Sequence, residues 1–444
     1  MKIKNGILFF LSVVTLFTAC KKEDNTAFSQ SPDERLNAAL SSYQKQLVGA
    51  ENGWKAFISP KSGGTYFFYL KFNDQNRVSM YSTFDSTSAV TLKESSYRLK
   101  ALQQPSLLFD TYSYIHVLAD PNENVTVLSK INGGPVGKGL ESDFEFYFDS
   151  TSADTIKLVG RFNGSKAVFT KATKQEADAY NNKELAKGFA FKNISKYLNY
   201  FKRATVGSTT FEINVNETDR TITLVWIDGA GNAQSFTTPF YYYLSGINFV
   251  NPLVIGSQTI TGFTNITWNG ATTTVGFSVN GTTTTVVGAN QPVKADVDAP
   301  KKWWKYAADL GDYWISLTGF HVNGVDNAYR IDTLKSGANT YYYWIYWPGY
   351  AAGSDFSGPV FINPAGTAIS LAYGTAPSVP TFTADGRAIF TYLGDYGPYP
   401  ATGGAALTRA RLFSSAGFYF VQTGPTSYDM VNAGDSKIWI SWLY

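Results

Sequence analysis

The sequence has few of the side chains that carry metal and thiol chemistry. Its 444 residues include one Cys, two His and three Met. Common zinc sites need clusters of Cys and His, so the composition excludes them, and we expect neither a metal nor another cofactor. A single Cys cannot form a disulfide within the chain. The 37 basic and 34 acidic residues give a formal net charge of +3, which excludes broad electrostatic capture of nucleic acid.

Catalytic motifs are lacking as well. His116 and His321 are the only imidazoles, so a serine triad would need one of them, and no Gly-x-Ser-x-Gly turn occurs. His116 lies in the strand-like run 114–118 and His321 lies near a turn, so we expect both to be structural. The glycine-rich loop 133–139 has Gly139 where a phosphate loop needs Ser or Thr.

Carboxylates could catalyse a reaction without Cys, His or a serine triad. The stretch 143–149 alternates apolar and polar side chains and predicts a half-buried strand. Asp143, Glu145 and Asp149 share one face of that strand, and a solvated outer face is the expected role. A glycan hydrolase with two carboxylates or a calcium site stays open as an alternative. No acid is marked as buried, so we assign no catalytic residue and expect a protein that is not an enzyme.

The N-terminal segment indicates export and lipid anchoring. Residues 1–19 combine a basic start with an apolar run over 7–17, which is too short to span a bilayer and predicts a signal peptide. The residues before Cys20 resemble a bacterial lipobox, so we expect Cys20 to carry lipid and to anchor the chain in a membrane. Residues 20–30 predict a polar tether, and the run 21–24 resembles the surface-export signal of Bacteroidota lipoproteins.

The remaining sequence predicts mostly strands and turns. We expect a mainly β fold with two or three antiparallel β-sandwich or partial-barrel units and one or two short helices. Capping boxes, in which Ser31 pairs with Glu34 and Thr173 with Glu176, predict helices. Gly53 is a candidate left-handed cap for the first helix.

Internal similarity favours a modular organisation. The segments 245–252 and 357–364 share five of eight residues, each predicting a turn, a buried strand and an Asn-Pro stop. The segment 291–300, which contains Pro292 and Pro300, is the clearest candidate linker. The expected divisions are β unit one with an N-terminal helix at 31–172, β unit two at 173–290, a linker at 291–300 and an aromatic-rich β unit at 301–444.

Several segments of the first two units resemble the domain of unknown function (DUF) 4302 family. They are Asn52-Gly53-Trp54, the run 106–112, His116, Asp120-Pro121, Gly137-Lys138-Gly139 and the run 143–146. The resemblance covers roughly residues 31–290. It implies a Bacteroidota surface lipoprotein associated with nutrient uptake through outer-membrane transporters. It implies no known activity, so no catalytic residue is carried over.

The most informative positive feature is the aromatic run 341–347, Tyr-Tyr-Tyr-Trp-Ile-Tyr-Trp. In a strand, alternate residues face opposite sides, so one aromatic face can enter the core and leave Tyr342, Trp344 and Tyr346 on the other. Exposed rings could stack on sugars. A strand buried on both faces is the alternative.

Together these features predict an accessory binding protein, lipid-anchored in the outer membrane and facing the cell surface or the periplasm. It would capture a glycan or nutrient near an outer-membrane transporter through Tyr342, Trp344 and Tyr346. The alternatives are a carboxylate-dependent glycan hydrolase and a structural partner of the transporter.

Overall fold

The computed structural model describes residues 31–101, 103–122, 137–217 and 219–444. The predicted signal peptide, the tether and Cys20 lie outside these residues. Antiparallel strands dominate the described chain and form three sheets, one after another in sequence. The expectation of a mainly β fold is confirmed.

The first sheet closes on itself as an eight-stranded barrel in which β1 pairs with both β2 and β8. Eight strands leave an interior that side chains can fill, and large rings such as Trp54, Phe68 and Phe169 occupy it with no exposed surface. The barrel is therefore a packed core. Its strands are β1 Trp54–Ser59, β2 Tyr66–Phe72, β3 Arg77–Ser82, β4 Lys93–Ala101, β5 Pro105–Phe109, β6 Glu145–Thr151, β7 Thr155–Gly160 and β8 Lys166–Lys171.

Helix α1 (Pro32–Val48) begins at the predicted capping box. The Glu34 amide donates to the Ser31 hydroxyl at 3.2 Å, and the Ser31 amide donates to the Glu34 carboxylate at 2.8 Å. The helix ends at Gly49, so the prediction that Gly53 caps it is wrong. Gly53 instead has a left-handed φ of +74° in the turn before β1.

The predicted strand over 114–118 is wrong, because this stretch forms the short helix α2 (Tyr114–Val117). His116 is buried there. Its Nδ1 accepts from the Ser113 amide and its Nε2 donates to the Phe109 carbonyl, both at 3.1 Å. Burial lowers the pKa of His116, and the ring has the structural role that we expected.

The second sheet has nine strands, and its last strand returns to pair with its first. Helix α3 (Lys174–Asn181) begins at the predicted Thr173 capping box, and a 3-10 helix (Glu184–Lys196) follows and packs on the sheet. The strands are β9 Phe201–Val206, β10 Thr209–Asn216, β11 Thr221–Ile227, β12 Ala233–Tyr243, β13 Gly246–Ile255, β14 Gln258–Asn269, β15 Thr274–Val279, β16 Thr282–Thr285 and β17 Val287–Ala289.

The third sheet has thirteen strands, with β30 between β29 and β18. Helix α4 (Ala299–Leu310) starts inside the predicted linker 291–300 and buries Trp303 in the core of this sheet. A 3-10 helix (Ile331–Thr333) and α5 (Gly403–Leu412) complete the unit. The strands are β18 Trp314–Ser316, β19 Phe320–Val322, β20 Lys335–Ser336, β21 Asn339–Ala351, β22 Ser354–Ile362, β23 Ile369–Leu371, β24 Gly374–Pro377, β25 Thr381–Phe382, β26 Arg387–Ile389, β27 Tyr392–Tyr396, β28 Phe418–Gly424, β29 Ser427–Asn432 and β30 Ile438–Leu443.

The outer wall of the barrel packs against the second sheet in one shared core. Arg220 is 3% exposed and lies at this junction. Its guanidinium donates to the Thr83 carbonyl at 3.0 Å and lies over the rings of Tyr66 and Tyr242. A smaller apolar cluster around Phe201 joins the second sheet to the third. Apolar contacts therefore link the three sheets in sequence order.

Candidate ligand-binding surfaces

The three aromatic residues predicted to bind ligand do not lie together on the surface. Trp344 is 1% exposed and Tyr346 is 0% exposed, while Tyr342 is 50% exposed. The expectation of an exposed platform of Tyr342, Trp344 and Tyr346 is therefore wrong. The side of β21 that carries Trp344 and Tyr346 faces the core of the third sheet.

Buried partners hold the polar atoms of these two rings, as buried Trp and Tyr generally require. Trp344 Nε1 donates to the Ser357 hydroxyl at 2.9 Å, and the Tyr346 hydroxyl donates to Asp355 at 2.6 Å. Asp355 also accepts from Trp304 Nε1 at 2.8 Å and from the Gly349 amide at 2.7 Å. Burial raises the pKa of Asp355. These contacts make the inner side of β21 part of the core.

A change of register in β21 explains why simple alternation of faces gave a wrong prediction for the run 341–347. The pairing of β21 with β22 shifts between Tyr341 and Tyr343, and such an irregularity changes which residues share a face. Tyr341 packs against the core of the third sheet, whereas Tyr343 and Trp347 pack on its other side. Tyr342 lies exposed between them. The half-exposed rings Tyr343 and Trp347 thus come from the side of the strand that we predicted to enter the core.

Six rings form a continuous chain of contacts on that outer side, which we call the aromatic face. Neighbouring ring centroids lie 4.7 to 6.3 Å apart. The six are Tyr342, Tyr343, Tyr313, Trp347, Tyr350 and Tyr396, in order of contact. Neighbouring planes are inclined by 32° to 76°, so a ligand would meet separate ring faces and edges.

The aromatic face rests on a buried apolar layer and has polar atoms at its rim. Ile345 and Phe356 are fully buried beneath it. The hydroxyls of Tyr313 and Tyr343 lie 3.2 Å apart. Burial and this contact raise the pKa of Tyr343, so the ring is neutral near pH 7. The surface thus combines apolar ring area with neutral hydroxyls.

Three members of the aromatic face were missed by the sequence reasoning. Tyr313 and Tyr396 come from other segments, and only the pairing of strands distant in sequence brings them near β21, whereas Tyr350 lies on β21 itself. Tyr350 had a local signal, since it follows Pro348-Gly349 directly. A Pro-Gly pair usually ends a strand, but β21 continues past it to Ala351 with an irregular pairing.

A second concave feature lies between the second and third sheets, and we call it the inter-sheet cleft. Its volume is about 970 Å³. Its walls come from the segments 194–202, 213–217, 321–326 and 421–423, together with Thr221, Thr223 and Trp439. Amides and hydroxyls are its commonest polar groups, and aliphatic side chains, a few rings and several charged groups complete the lining.

His321 and Trp439 form part of the cleft wall on the side of the third sheet. Their rings stack with centroids 4.6 Å apart. The His321 Nδ1 and a carboxylate oxygen of Asp326 lie 2.6 Å apart, and Nε2 accepts from the Gly324 amide at 3.1 Å. An accepting Nε2 leaves the proton on Nδ1. The ring is therefore anchored at both nitrogens, which matches its expected structural role.

Two of the three candidate carboxylates of the first unit have structural partners, and the third, Asp149, is exposed as expected. Asp143 is 3% exposed, so the expectation that it lies on a solvated face is wrong. It accepts from the amides of Phe162 at 2.8 Å and Asn163 at 3.0 Å, which fixes the loop before β8. Glu145 forms an ion pair with Arg161 at 3.2 Å. In the part of the chain that the structure describes, no group of three or more possible metal ligands comes together.

The sequence matches the family described as "Domain of unknown function (DUF4302)" over residues 24–270, which is 247 of 444 residues. The chain therefore belongs to the DUF4302 family. The match includes the barrel and the second sheet through β14, and ends before β15. No curated protein matches the sequence. None of the described helices has the length and hydropathy needed to cross a membrane.

Two solved structures illustrate the distant likenesses of the fold. The β clamp of Helicobacter pylori bound to a DNA ligase peptide is 8% identical, with 93% of this chain and 97% of that chain covered and a TM-score of 0.12. Transferrin binding protein B of Neisseria meningitidis is 9% identical, with 88% and 74% covered and a TM-score of 0.17. At such scores neither likeness supports an argument about this chain.

Proposed function

We propose that this protein is a lipid-anchored binding protein of the cell envelope that captures a glycan or related nutrient on its aromatic face. Cys20 would carry the lipid and hold the chain at the outer membrane, with the folded part at the cell surface. An outer-membrane transporter nearby would receive the captured material. The protein would hold its ligand without transforming it.

One observation carries this proposal: the unbroken chain of six half-exposed or exposed rings on the aromatic face. Sugar rings have apolar C–H faces and hydroxyl edges, which match ring faces with hydroxyls at the rim. Exposed apolar patches of this kind mark interaction sites. The buried layer holds the rings in place before binding, which reduces the entropy lost in the complex.

The two alternative functions make different demands on the same molecule. Tyr and Trp are also enriched in protein interfaces, so the aromatic face could contact a transporter directly. A glycan hydrolase would need two carboxylates placed on either side of a bound sugar. Asp312, next to Tyr313 in the chain, is close enough to the aromatic face to contribute to the raised pKa of Tyr343, and a hydrolase would need a second carboxylate across the sugar from it.

Affinity electrophoresis through gels that contain soluble polysaccharides tests the proposal. We expect at least one polysaccharide to retard the protein, and Trp347→Ala and Tyr350→Ala to abolish the retardation. Phe162→Ala is the control. Phe162 is 82% exposed on the barrel, so this substitution removes an exposed ring that lies away from the aromatic face.

Unchanged retardation of Trp347→Ala would overturn the assignment of the aromatic face. Absence of any retardation, combined with co-purification of a transporter that Trp347→Ala disrupts, would favour the structural role. Turnover of oligosaccharides by the purified protein would favour the hydrolase.

A further inference from the structure

Lys202 in the inter-sheet cleft is a cation that has no carboxylate partner among the residues the structure describes. It lies on β9, is partly buried and lines the cleft. Its ammonium makes one long hydrogen bond, 3.4 Å to the Tyr200 carbonyl, and forms no ion pair with the carboxylates of the described residues. An ammonium has three donors, and only one of them has a hydrogen bond to a described residue.

Lys196 adds a second, exposed cation to the cleft wall, whereas the acids nearby have contacts of their own. Within the cleft, Glu217 accepts from the Tyr242 hydroxyl at 2.6 Å, and Asp326 contacts His321. Glu212 favours the protonated form of Lys202 electrostatically, without forming an ion pair with it. This acid accepts from the Val293 amide at 2.8 Å. Burial lowers the pKa of Lys202 to about 8 despite Glu212, as expected for a desolvated cation that lacks close compensation.

The rest of the cleft suits a hydroxylated molecule. Its volume of about 970 Å³ lies within the usual range for small-molecule sites. Asn214, Thr221 and Asn323 bring amide and hydroxyl groups to the walls, and the rings of Tyr197 and Trp439 add apolar area. These groups can pair with sugar hydroxyls, which both donate and accept hydrogen bonds.

We propose that the inter-sheet cleft binds an acidic saccharide, a sugar chain that bears carboxylates, and that Lys202 pairs with one of these carboxylates. The ligand's carboxylate would be the ion-pair partner that Lys202 lacks among the described residues. The site uses residues of the second and third sheets and shares none with the aromatic face. This proposal is therefore independent of the function proposed above.

Isothermal titration of the full folded protein with trigalacturonate and with its methyl ester tests the proposal. The two probes have the same sugar skeleton, but only the acid carries charge. We expect the acid to bind about tenfold or more tightly than the ester, as a charge-assisted hydrogen bond requires. Lys202→Met should abolish that preference, and Lys202→Arg should keep most of it. Lys157→Met, at an exposed position on the barrel, is the matched control and should bind as the wild type does.

Equal affinity for acid and ester, or an unchanged preference in Lys202→Met, would overturn the role of Lys202. Absence of binding of trigalacturonate by the wild type would overturn the site itself. Loss of the preference in both Lys202→Met and Lys157→Met would show a general charge effect and would also contradict the proposal. Trp347→Ala should leave the titration unchanged, which separates this result from the test of the aromatic face.

Discussion

Tyr346 donates a 2.6 Å hydrogen bond to Asp355 inside the third sheet, where both residues are 0% exposed. This contact explains why a tyrosine that the sequence placed on the surface lies in the core. The ring supplies apolar area, and the buried carboxylate satisfies the hydroxyl. The outer side of the same strand is then left to carry Tyr343 and Trp347.

Replacing Tyr346 with Phe should remove that bond while keeping the ring. Because the acceptor is a buried carboxylate, we expect the free energy of unfolding to fall by about 1.5–3 kcal/mol. Tyr342→Phe, at an exposed position of the same strand, should change it by less than about 0.5 kcal/mol. Urea denaturation measures both values. Equal effects of the two substitutions would contradict the buried role of Tyr346.

Asp429 should make stability depend on pH. It accepts from Tyr200 at 2.7 Å and from Ser441 at 2.5 Å, and burial raises its pKa. The folded state therefore keeps a proton that the unfolded state has lost, so stability falls as pH rises from about 4 through the raised pKa. We expect the wild type to lose stability relative to Asp429→Asn as pH rises from 4 to 7. A difference that is constant over this range would contradict the account.

The second sheet should depend on strands beyond the family match. Phe277 on β15 is fully buried and stacks on Phe263 with ring centroids 4.2 Å apart, although the match ends at residue 270. Phe277→Ala should cost about 3–5 kcal/mol, as should Phe263→Ala within the match. Denaturant unfolding measures both costs. A cost below about 1 kcal/mol for Phe277→Ala alone would show that β15 is not an integral part of the sheet.

Local signals were enough to predict some elements. The capping boxes at Ser31 and Thr173 located two helix starts because their side chains bond only within one turn. The turn at residues 73–76, Asn-Asp-Gln-Asn, joins β2 and β3 and also has a local signal in its turn-forming residues. Strand content followed from local patterns in the same way, since alternation and turn residues are short-range features.

Other features depended on contacts between distant residues. The run 341–347 is aromatic on both sides, so its pattern could not show which side is buried, and the register shift after Tyr341 changed the alternation. Closure of the barrel depends on pairing of β1 with β8. The inter-sheet cleft needs Lys202 and Trp439 from different sheets. None of these relationships has a short-range signature.

Lipid anchoring stays a prediction of the sequence, and Cys20→Ser tests it. Without the thiol no thioether to lipid can form, so we expect the variant to lose metabolic labelling by fatty acid and to leave the membrane fraction. The wild type should retain both properties. Retention of the variant in the membrane fraction, without label, would show that another part of the protein supplies the attachment.

Hydroxyl-radical footprinting of the wild-type protein, with and without a polysaccharide that retards it in gels, tests the central claim most directly. We predict that the ligand lowers the oxidation of Tyr342, Trp347 and Tyr350 and leaves Phe162 unchanged. Protection confined to other surfaces, with these three rings oxidised as before, would contradict the claim that the aromatic face holds the ligand.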